Sequence, residues 1–490
     1  MSPRATALEV SKKSLQTIAL ATIAIPSAAL ALFVHTFGVN VIVSDEWIMV
    51  PLYEKMLNGS LSATDLFAPY TAQRMFFPRL AMLVLERLSS FNVVWEVYLS
   101  WALLTATVTI VFYMYLNKNC RIDMAALVYF LPVSLLMFSF RQEGSILWGF
   151  GCQIYFPTFC VVAATFFLDK AREHARFLAL SVAAGVVASF SFLLGLAVWP
   201  MGFLQIVLSV DGSVERRVKM ASLWVLSGAM VSGLYLRGLG FNSAVVSQSL
   251  RRNAEYFLAY VGGPFTFQIA YYSASIAIVL GIIATVVFFQ ALKVRAVREN
   301  SVWISLIVFS VLSGLVTTFG RAGLGVEEAL SSGYTPVSVL AAVGLYLFAV
   351  SVSKRWNGPV SRFAVHALLT LILLALVVST GAGWHVAQQT RTQREIGINV
   401  LQNYRTQSDA AIFAYVSQNT SAVREWAPYL QSNRLNVFAT KTQNDTFQLS
   451  IVDWRMPNTP NSISVRKAYW LVLVRTDRGF WIPLKLQQHA

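Results

Sequence analysis

The stretch SLQTIALATIAIPSAALALFVHTFGVNVIVSDEW, residues 14–47, decides the fold. Between Ser14 and Phe37 the only ionisable side chain is His35, and the run exceeds the ~20 residues that an α-helix needs to cross a hydrocarbon core. Arg4, Lys12 and Lys13 precede it. A signal peptide would carry a shorter apolar region ending in a small-residue cleavage site, so this run reads as an uncleaved first membrane helix. The acidic pair Asp45-Glu46, followed by Trp47, comes shortly after its end.

The rest of the chain repeats this pattern. Of its 490 residues 56% are hydrophobic and only 12% charged, with a mean hydropathy of +0.59; soluble domains average about a quarter charged. Apolar runs at 15–37, 93–116, 123–139, 154–169, 177–194, 196–210, 220–237, 270–292, 301–319, 335–352 and 362–384 predict eleven spans. The stretch 177–210 is long for one helix and short for two, and Gly195, Trp199 and Pro200 mark the expected break, so it reads as two short or tilted helices. From a cytoplasmic N-terminus, eleven spans put every basic loop cluster inside: Lys118 and Arg121; Lys170, Arg172 and Arg176; Arg216, Arg217 and Lys219; Lys293, Arg295 and Arg298; Lys354, Arg355 and Arg362. That is the positive-inside bias, and it accounts for much of the net charge of +15. No aromatic-basic surface or helix-turn-helix pattern points to nucleic acid. Cys120, Cys152 and Cys160 form neither a disulfide framework nor a zinc pattern and read as apolar fillers.

The expected organisation is an all-α polytopic domain over residues 1–384 and a polar α+β tail over 385–490 on the outer side. Thr392 to Asn419 and Ala422 to Ser432 read as helices, and Phe447 to Trp454, Ala468 to Arg475 and Phe480 to Leu486 as strands. The last two flank Thr476-Asp477-Arg478-Gly479, a hairpin signal. Asn444-Asp445-Thr446 fits a glycosylation acceptor. The long first outer loop, 38–92, holds two amphipathic segments, Pro51 to Asn58 and Phe77 to Ser89, whose apolar faces (Leu52 and Met56; Leu80, Leu83 and Val84) would rest on lipid or on the bundle. Trp47, Trp148 and Trp199 read as interfacial belt residues.

The spans are nearly free of charge, which disfavours an ion-driven transporter, so the chemistry is expected in the outer loops. There Asp45 and Glu46 are accompanied by Arg74, Arg79, Arg141, Glu143, Arg251, Arg252, Glu255, Arg321, Glu327 and Glu328. Acids beside arginines suit a phosphorylated substrate: guanidinium binds phosphate oxygens bidentately, and a carboxylate can take a proton from an attacking hydroxyl. Taken singly, each has an ordinary explanation as solvated loop charge or as an arginine reaching for headgroups. No Walker motif, metal-spaced histidine cluster or nucleophile elbow is present.

An acidic pair directly after the first span, in a long outer loop with interfacial helices, resembles the GT-C class of membrane glycosyltransferases over about the first 385 residues. Two stretches are similar to a little-characterised bacterial family of this type. Tyr70-Thr71-Ala72-Gln73-Arg74-Met75-Phe76-Phe77-Pro78-Arg79-Leu80 is similar to that family's His-Asn-Glu-His-Arg segment followed by Phe-Pro-Arg-Leu. Gly320-Arg321, Gly325, Ala329 and Ser331-Ser332-Gly333-Tyr334 resemble its Gly-Arg, Gly, Ala and Ser-Ser-Arg-Tyr positions. The stretch from Val423-Arg424 to Leu435-Asn436-Val437-Phe438 also looks like a family segment. Ala72 stands where the family has an acid and Gly333 where it has an arginine, departures that bear on substrate or activity.

The resemblance implies transfer of a sugar from a polyprenyl-phosphate donor to a surface glycan, such as O-antigen of lipopolysaccharide, on the periplasmic face of a bacterial inner membrane. In that scheme Asp45 is the general base, Glu46 orients the acceptor, and Arg74, Arg79, Arg141, Glu143, Arg321 and Tyr334 bind substrate or phosphate. No cofactor is required, although a carboxylate pair is chemically able to hold a divalent metal. The alternatives are a lipid-linked oligosaccharide flippase, a polysaccharide polymerase, or a non-enzymatic anchor for the tail.

Overall fold

The computed structural model describes residues 3–119, 124–208, 213–239, 246–267, 269–356, 358–439, 450–452, 469–475 and 481–487. Cys120, Arg121, the Asn444-Asp445-Thr446 tripeptide and the turn at 476–479 lie outside them. The chain divides into two compact units, Met1–Phe438 and Ala439–Ala490.

The first unit is helical. The apolar runs form α1 (Pro3–Phe37), then, after the short helices α2 (Met49–Leu57), α3 (Ala63–Phe67) and α4 (Phe76–Ser89), α5 (Val94–Asn119) and α6 (Met124–Met137). A single turn, α7 (Glu143–Ile146), leads into α8 (Cys152–Lys170), α9 (Ala175–Ser189), α10 (Val198–Leu208) and α11 (Val214–Leu236). Then come α12 (Leu250–Gly262), α13 (Ala270–Lys293), α14 (Ser301–Arg321), α15 (Thr335–Arg355), α16 (Pro359–Gln402), α17 (Asp409–Tyr415) and α18 (Thr420–Ser432).

Among the described residues nine helical segments are long and apolar enough to cross a membrane: α1, α5, α6 with its continuation to Ile146, α8, α11, α13, α14, α15 and α16. The chain is an α-helical membrane protein. α15 is its centre, with 89% of its apolar window buried, whereas α11 has 22% buried and turns the rest outward.

Among the described residues the two helices expected to be short or tilted are indeed short. Ala175–Ser189 has 15 residues, about 22 Å of helix against a hydrocarbon core of about 30 Å, and Leu193–Leu208 is comparably short. The break lies at residues 190–192 rather than at Gly195 or Pro200. Pro200 is tolerated because it sits in the first turn of α10, where its missing N–H has no intrahelical acceptor. Gly195 serves close approach: a Cβ there would come 1.9 Å from the Ala188 carbonyl oxygen. Trp199 is not a belt residue. It is 6% exposed; its indole donates to Ser189 Oγ at 3.0 Å, and its carbonyl accepts from the Trp224 indole at 2.8 Å. Trp47 is likewise buried.

The loops and the basic clusters collect at opposite ends. At one end Lys118 reaches Asp169 at 3.5 Å and the Glu299 carbonyl at 2.9 Å. There too Arg172 pairs with Asp169 at 2.8 Å, Arg355 with Glu299 at 2.5 Å, and Arg216 donates to the Ala171 carbonyl. At the other end, the loop end, the segment from Val39 to Val93 packs with residues that follow the last span. Trp47, Val50, Tyr53, Met82 and Phe91 share one buried core with Val400, Leu401, Ile412, Val423 and Leu430.

The boundary expected at 384/385 is therefore absent. α16 runs unbroken for 44 residues, about 66 Å, out of its apolar half and into this second core. Asn436 fixes the arrangement: its Nδ2 donates to Asn40 Oδ1 at 2.7 Å and to the Phe91 carbonyl at 2.8 Å. In the second unit β1 (Ser450–Val452), β2 (Tyr469–Arg475) and β3 (Trp481–Gln487) form an antiparallel sheet in the order β1-β2-β3, with Arg475 opposite Trp481.

Candidate functional site

Ser44 directly precedes the acidic pair. Its φ of 53° is a left-handed conformation uncommon for a side-chain-bearing residue, held by its N–H bonding to the Val416 carbonyl at 2.8 Å. Beyond this turn Asp45 is half-buried at the loop surface and Glu46 points inward, 2% exposed. Asp45 Oδ1 accepts a hydrogen bond from the Tyr70 hydroxyl at 2.8 Å. Burial and the neighbouring carboxylate together hold the Tyr70 phenol in its protonated, donating form. Tyr70 begins a tight turn closed by paired backbone bonds to Gln73.

Glu46 accepts from the Val43 N–H at 2.8 Å and from the Phe150 N–H at 3.2 Å. Burial pushes its carboxyl up to about 7, against the lowering influence of those donors and of Arg394. Two further acids converge on it. A Cβ at Gly149 would lie 2.5 Å from Glu96 Oε2 and 3.0 Å from Glu46 Oε1, so only glycine leaves room for both. Glu86 of α4 meets Glu96 carboxyl to carboxyl. Among the described residues no N–H or O–H of ordinary geometry reaches either carboxyl, so a hydrogen bond between them requires one to carry a proton. Burial and then the nearby Glu46 raise the Glu86 carboxyl well above its ordinary range, with contact to Glu96 opposing.

Sequence reading missed Glu86, Glu96 and Arg394. The signal was present in α4: Arg79, Met82, Leu83 and Glu86, spaced i, i+3, i+4, i+7, are buried, while Leu80, Val84 and Leu88, spaced i, i+4, i+8, are exposed. This helix keeps Arg79 and Glu86 inward and an apolar stripe outward, with Arg87 exposed near its end. Leu83, expected beside Leu80 and Val84, belongs to the inner face.

Three of the arginines expected to bind phosphate are occupied by the fold. Arg74 donates to the carbonyls of Tyr235 at 2.7 Å, Phe67 at 2.7 Å and Arg237, tying the first loop to the end of α11. Arg79, 4% exposed, donates to the carbonyls of Asp65, Leu66 and Ala68, which close the end of α3. Arg141, 2% exposed, donates to the carbonyls of Gly263, Thr266 and Leu330, and its Nη1 lies 4.0 Å from Glu143. Arg251 pairs with Glu255 at 2.8 Å on the exposed face of α12. Among the described residues no group of three or more histidines, cysteines or acids is arranged to hold a metal.

No family model, curated protein or solved structure matches this chain.

Arg321 differs from the other three arginines: it is half-exposed and donates to Glu328 Oε1 at 3.3 Å. It interacts electrostatically with Tyr334 and Tyr256; Tyr260 and Tyr334 have ring centroids 5.8 Å apart, and Tyr256 is fully buried. The segment from Phe140 to Gly151 links the two sites. Ser145 Oγ donates to the Ser332 carbonyl at 3.2 Å at one end. At the other the Phe150 ring stands edge-on to Tyr70, 6.3 Å between centroids. A groove of about 460 Å³ lined by Phe203, Val218, Ala221, Ser222, Val225 and Leu226 lies on α10 and α11, contains no charged group, and has the character of a lipid-tail contact.

Proposed function

We propose that this chain is a membrane glycosyltransferase of the GT-C kind, moving a sugar from a polyprenyl-phosphate donor to a surface glycan on the periplasmic face of a bacterial inner membrane. The observation that carries the reading is Asp45: a half-buried carboxylate directly after the first span, oriented by the Tyr70 hydroxyl at 2.8 Å and backed by Glu46, Glu86 and Glu96. Asp45 takes the proton of the acceptor hydroxyl as that oxygen bonds to the sugar's anomeric carbon. The bond from that carbon to the phosphate oxygen breaks, and polyprenyl phosphate leaves with the electron pair. Arg321 offsets the charge gathering on the leaving phosphate; Arg74, Arg79 and Arg141 are structural in this scheme. Glu46, buried and held by main-chain donors, positions the loop instead of touching the acceptor.

Sidedness rests on the basic clusters at the end opposite the loops. Among the described residues, nine spans with α9 and α10 as a re-entrant pair, or eleven with both crossing, are each odd, which supports a periplasmic C-terminus from a cytoplasmic start. The test is replacement by Asp45→Asn in cells whose only copy is the variant. Modified glycan should fall by two or more orders of magnitude with protein level unchanged, and Tyr70→Phe should fall about tenfold. Full modification by Asp45→Asn rules out the base assignment.

The separate compact unit Ala439–Ala490 favours one rival, an anchor presenting that unit to a partner. Removal of residues 439–490 would abolish an anchor's function and leave transfer measurable.

A further inference from the structure

The turn that carries Tyr70 is anchored to apolar helices by a series of hydrogen bonds. Tyr70 and Gln73 exchange main-chain bonds at 2.8 and 2.9 Å across Thr71 and Ala72, which makes the turn one rigid piece. The Gln73 side chain reaches out of it: its Oε1 accepts from the Leu193 N–H at 2.9 Å. Leu193 opens the short 3₁₀ turn Leu193–Ala197 that follows the break between α9 and α10. An N–H in that first position has no acceptor within its own helix, and Gln73 supplies one from the first loop. Within the break itself, the Phe190 carbonyl accepts from the Phe77 N–H at 3.3 Å. A second anchor comes from the end of α11. The Tyr235 hydroxyl donates to the Ala72 carbonyl at 3.3 Å and accepts from the Arg74 N–H at 3.1 Å, and its residue is 0% exposed. The Phe190 ring joins the two anchors, with its centroid 6.0 Å from that of Tyr235 and 5.3 Å from that of Phe67.

We infer that Gln73 and Tyr235 are positioning residues for Asp45: they fix the Tyr70 turn against the α9–α10 break and the end of α11, and so hold the Tyr70 hydroxyl on the Asp45 carboxylate. That bond is 2.8 Å long, and an O–H···O bond is lost by about 3.6 Å. A shift of the turn by about 1 Å therefore releases Asp45. The main-chain bonds that close the turn preserve its shape but leave it able to tilt as a unit. Gln73 and Tyr235 remove that freedom from two different elements. The orientation of the carboxylate is thus set by helices distant in sequence, at 193 and 235, as well as by the loop that carries it. That Asp45 is a base rests on the glycosyltransferase reading; the coupling from α9–α11 to Asp45 does not.

The fluorine resonance of a fluorotyrosine placed at position 70 of the full chain, in phospholipid nanodiscs, tests the coupling. Asp45→Ala supplies the resonance of a released hydroxyl. Gln73→Ala, and Tyr235→Phe, which keeps the ring packed on Phe190, should each move the signal at least halfway to that reference. Gln73→Glu retains an oxygen for the Leu193 N–H and should leave the signal where the parent has it. In cells Gln73→Ala should lower glycan modification about tenfold, and combining it with Tyr70→Phe should cost no more than either change alone, because residues acting through one bond are not additive. Signals unmoved by Gln73→Ala and Tyr235→Phe, or a Gln73→Glu signal that shifts as Gln73→Ala does, overturn the inference. So do losses of modification that multiply. If the signals move as expected while Asp45→Asn still modifies glycan, the transfer reading fails and the coupling stands.

Discussion

Glu46 is held between two main-chain donors in a buried pocket, with its carboxyl up from 4.5 to about 7. The folded state thus binds this proton more tightly than the unfolded chain does. The stability that follows is fully present below about pH 4.5 and is lost as pH rises through 7. For the Glu46→Gln variant, which has no such proton, unfolding in detergent should gain on the parent by roughly 3 kcal/mol between about pH 4.5 and 8. Parallel pH profiles for the two proteins would show that Glu46 does not titrate as described. At this scale the sequence revealed the acidic pair but not its division of labour. Asp45 and Glu46 follow a left-handed turn at Ser44, whose N–H donates to the Val416 carbonyl, a contact 372 positions along the chain that local pattern does not encode. Glu86 and Glu96 were hidden for the same reason: Glu96 is an ordinary helix carboxylate until Gly149 brings the backbone of another loop against it, and Glu86 until it meets Glu96.

Among the elements, α3 and α4 depend on one guanidinium. Arg79 satisfies carbonyls at the end of α3 that no following helical turn would reach, and it does so from a buried position where a missing donor is costly. Arg79→Met should lower the unfolding free energy by about 2–4 kcal/mol, because carbonyls are left buried without partners. Arg321→Met should cost under about 1 kcal/mol, since its ion pair with Glu328 is solvated. Calorimetry of both variants checks the contrast; equal losses would remove the distinction between a structural and a ligand-facing arginine. The long spans were legible because hydropathy over about 20 residues is a one-dimensional signal. The short pair α9 and α10 was legible as a pair but not in its break point. Packing of Gly195 on Ala188 and of Trp199 on Ser189 sets that point, and neither contact leaves a trace in hydropathy.

At the scale of the molecule, polarity changes near residue 385 while the fold does not. Polarity reports where the chain leaves lipid; the core of Trp47, Tyr53 and Phe91 with Leu401, Val423 and Leu430 decides where the compact unit ends. A chain cut after Phe438 should therefore remain monodisperse in detergent with its unfolding midpoint intact, whereas one cut after 390 should aggregate or lose its midpoint. Size-exclusion profiles and thermal scans of the two truncations decide it, and a well-behaved 390 truncation would contradict a shared core. That shared core also has a consequence in time. Ile42 is bonded to Asn436, 394 positions later, and at 5–20 residues per second the ribosome takes roughly 20 to 80 s to make the difference. The first loop is translated well before its partner segment and is among the last to close. Throughout that interval its apolar half-core waits for a partner that has not yet been synthesised.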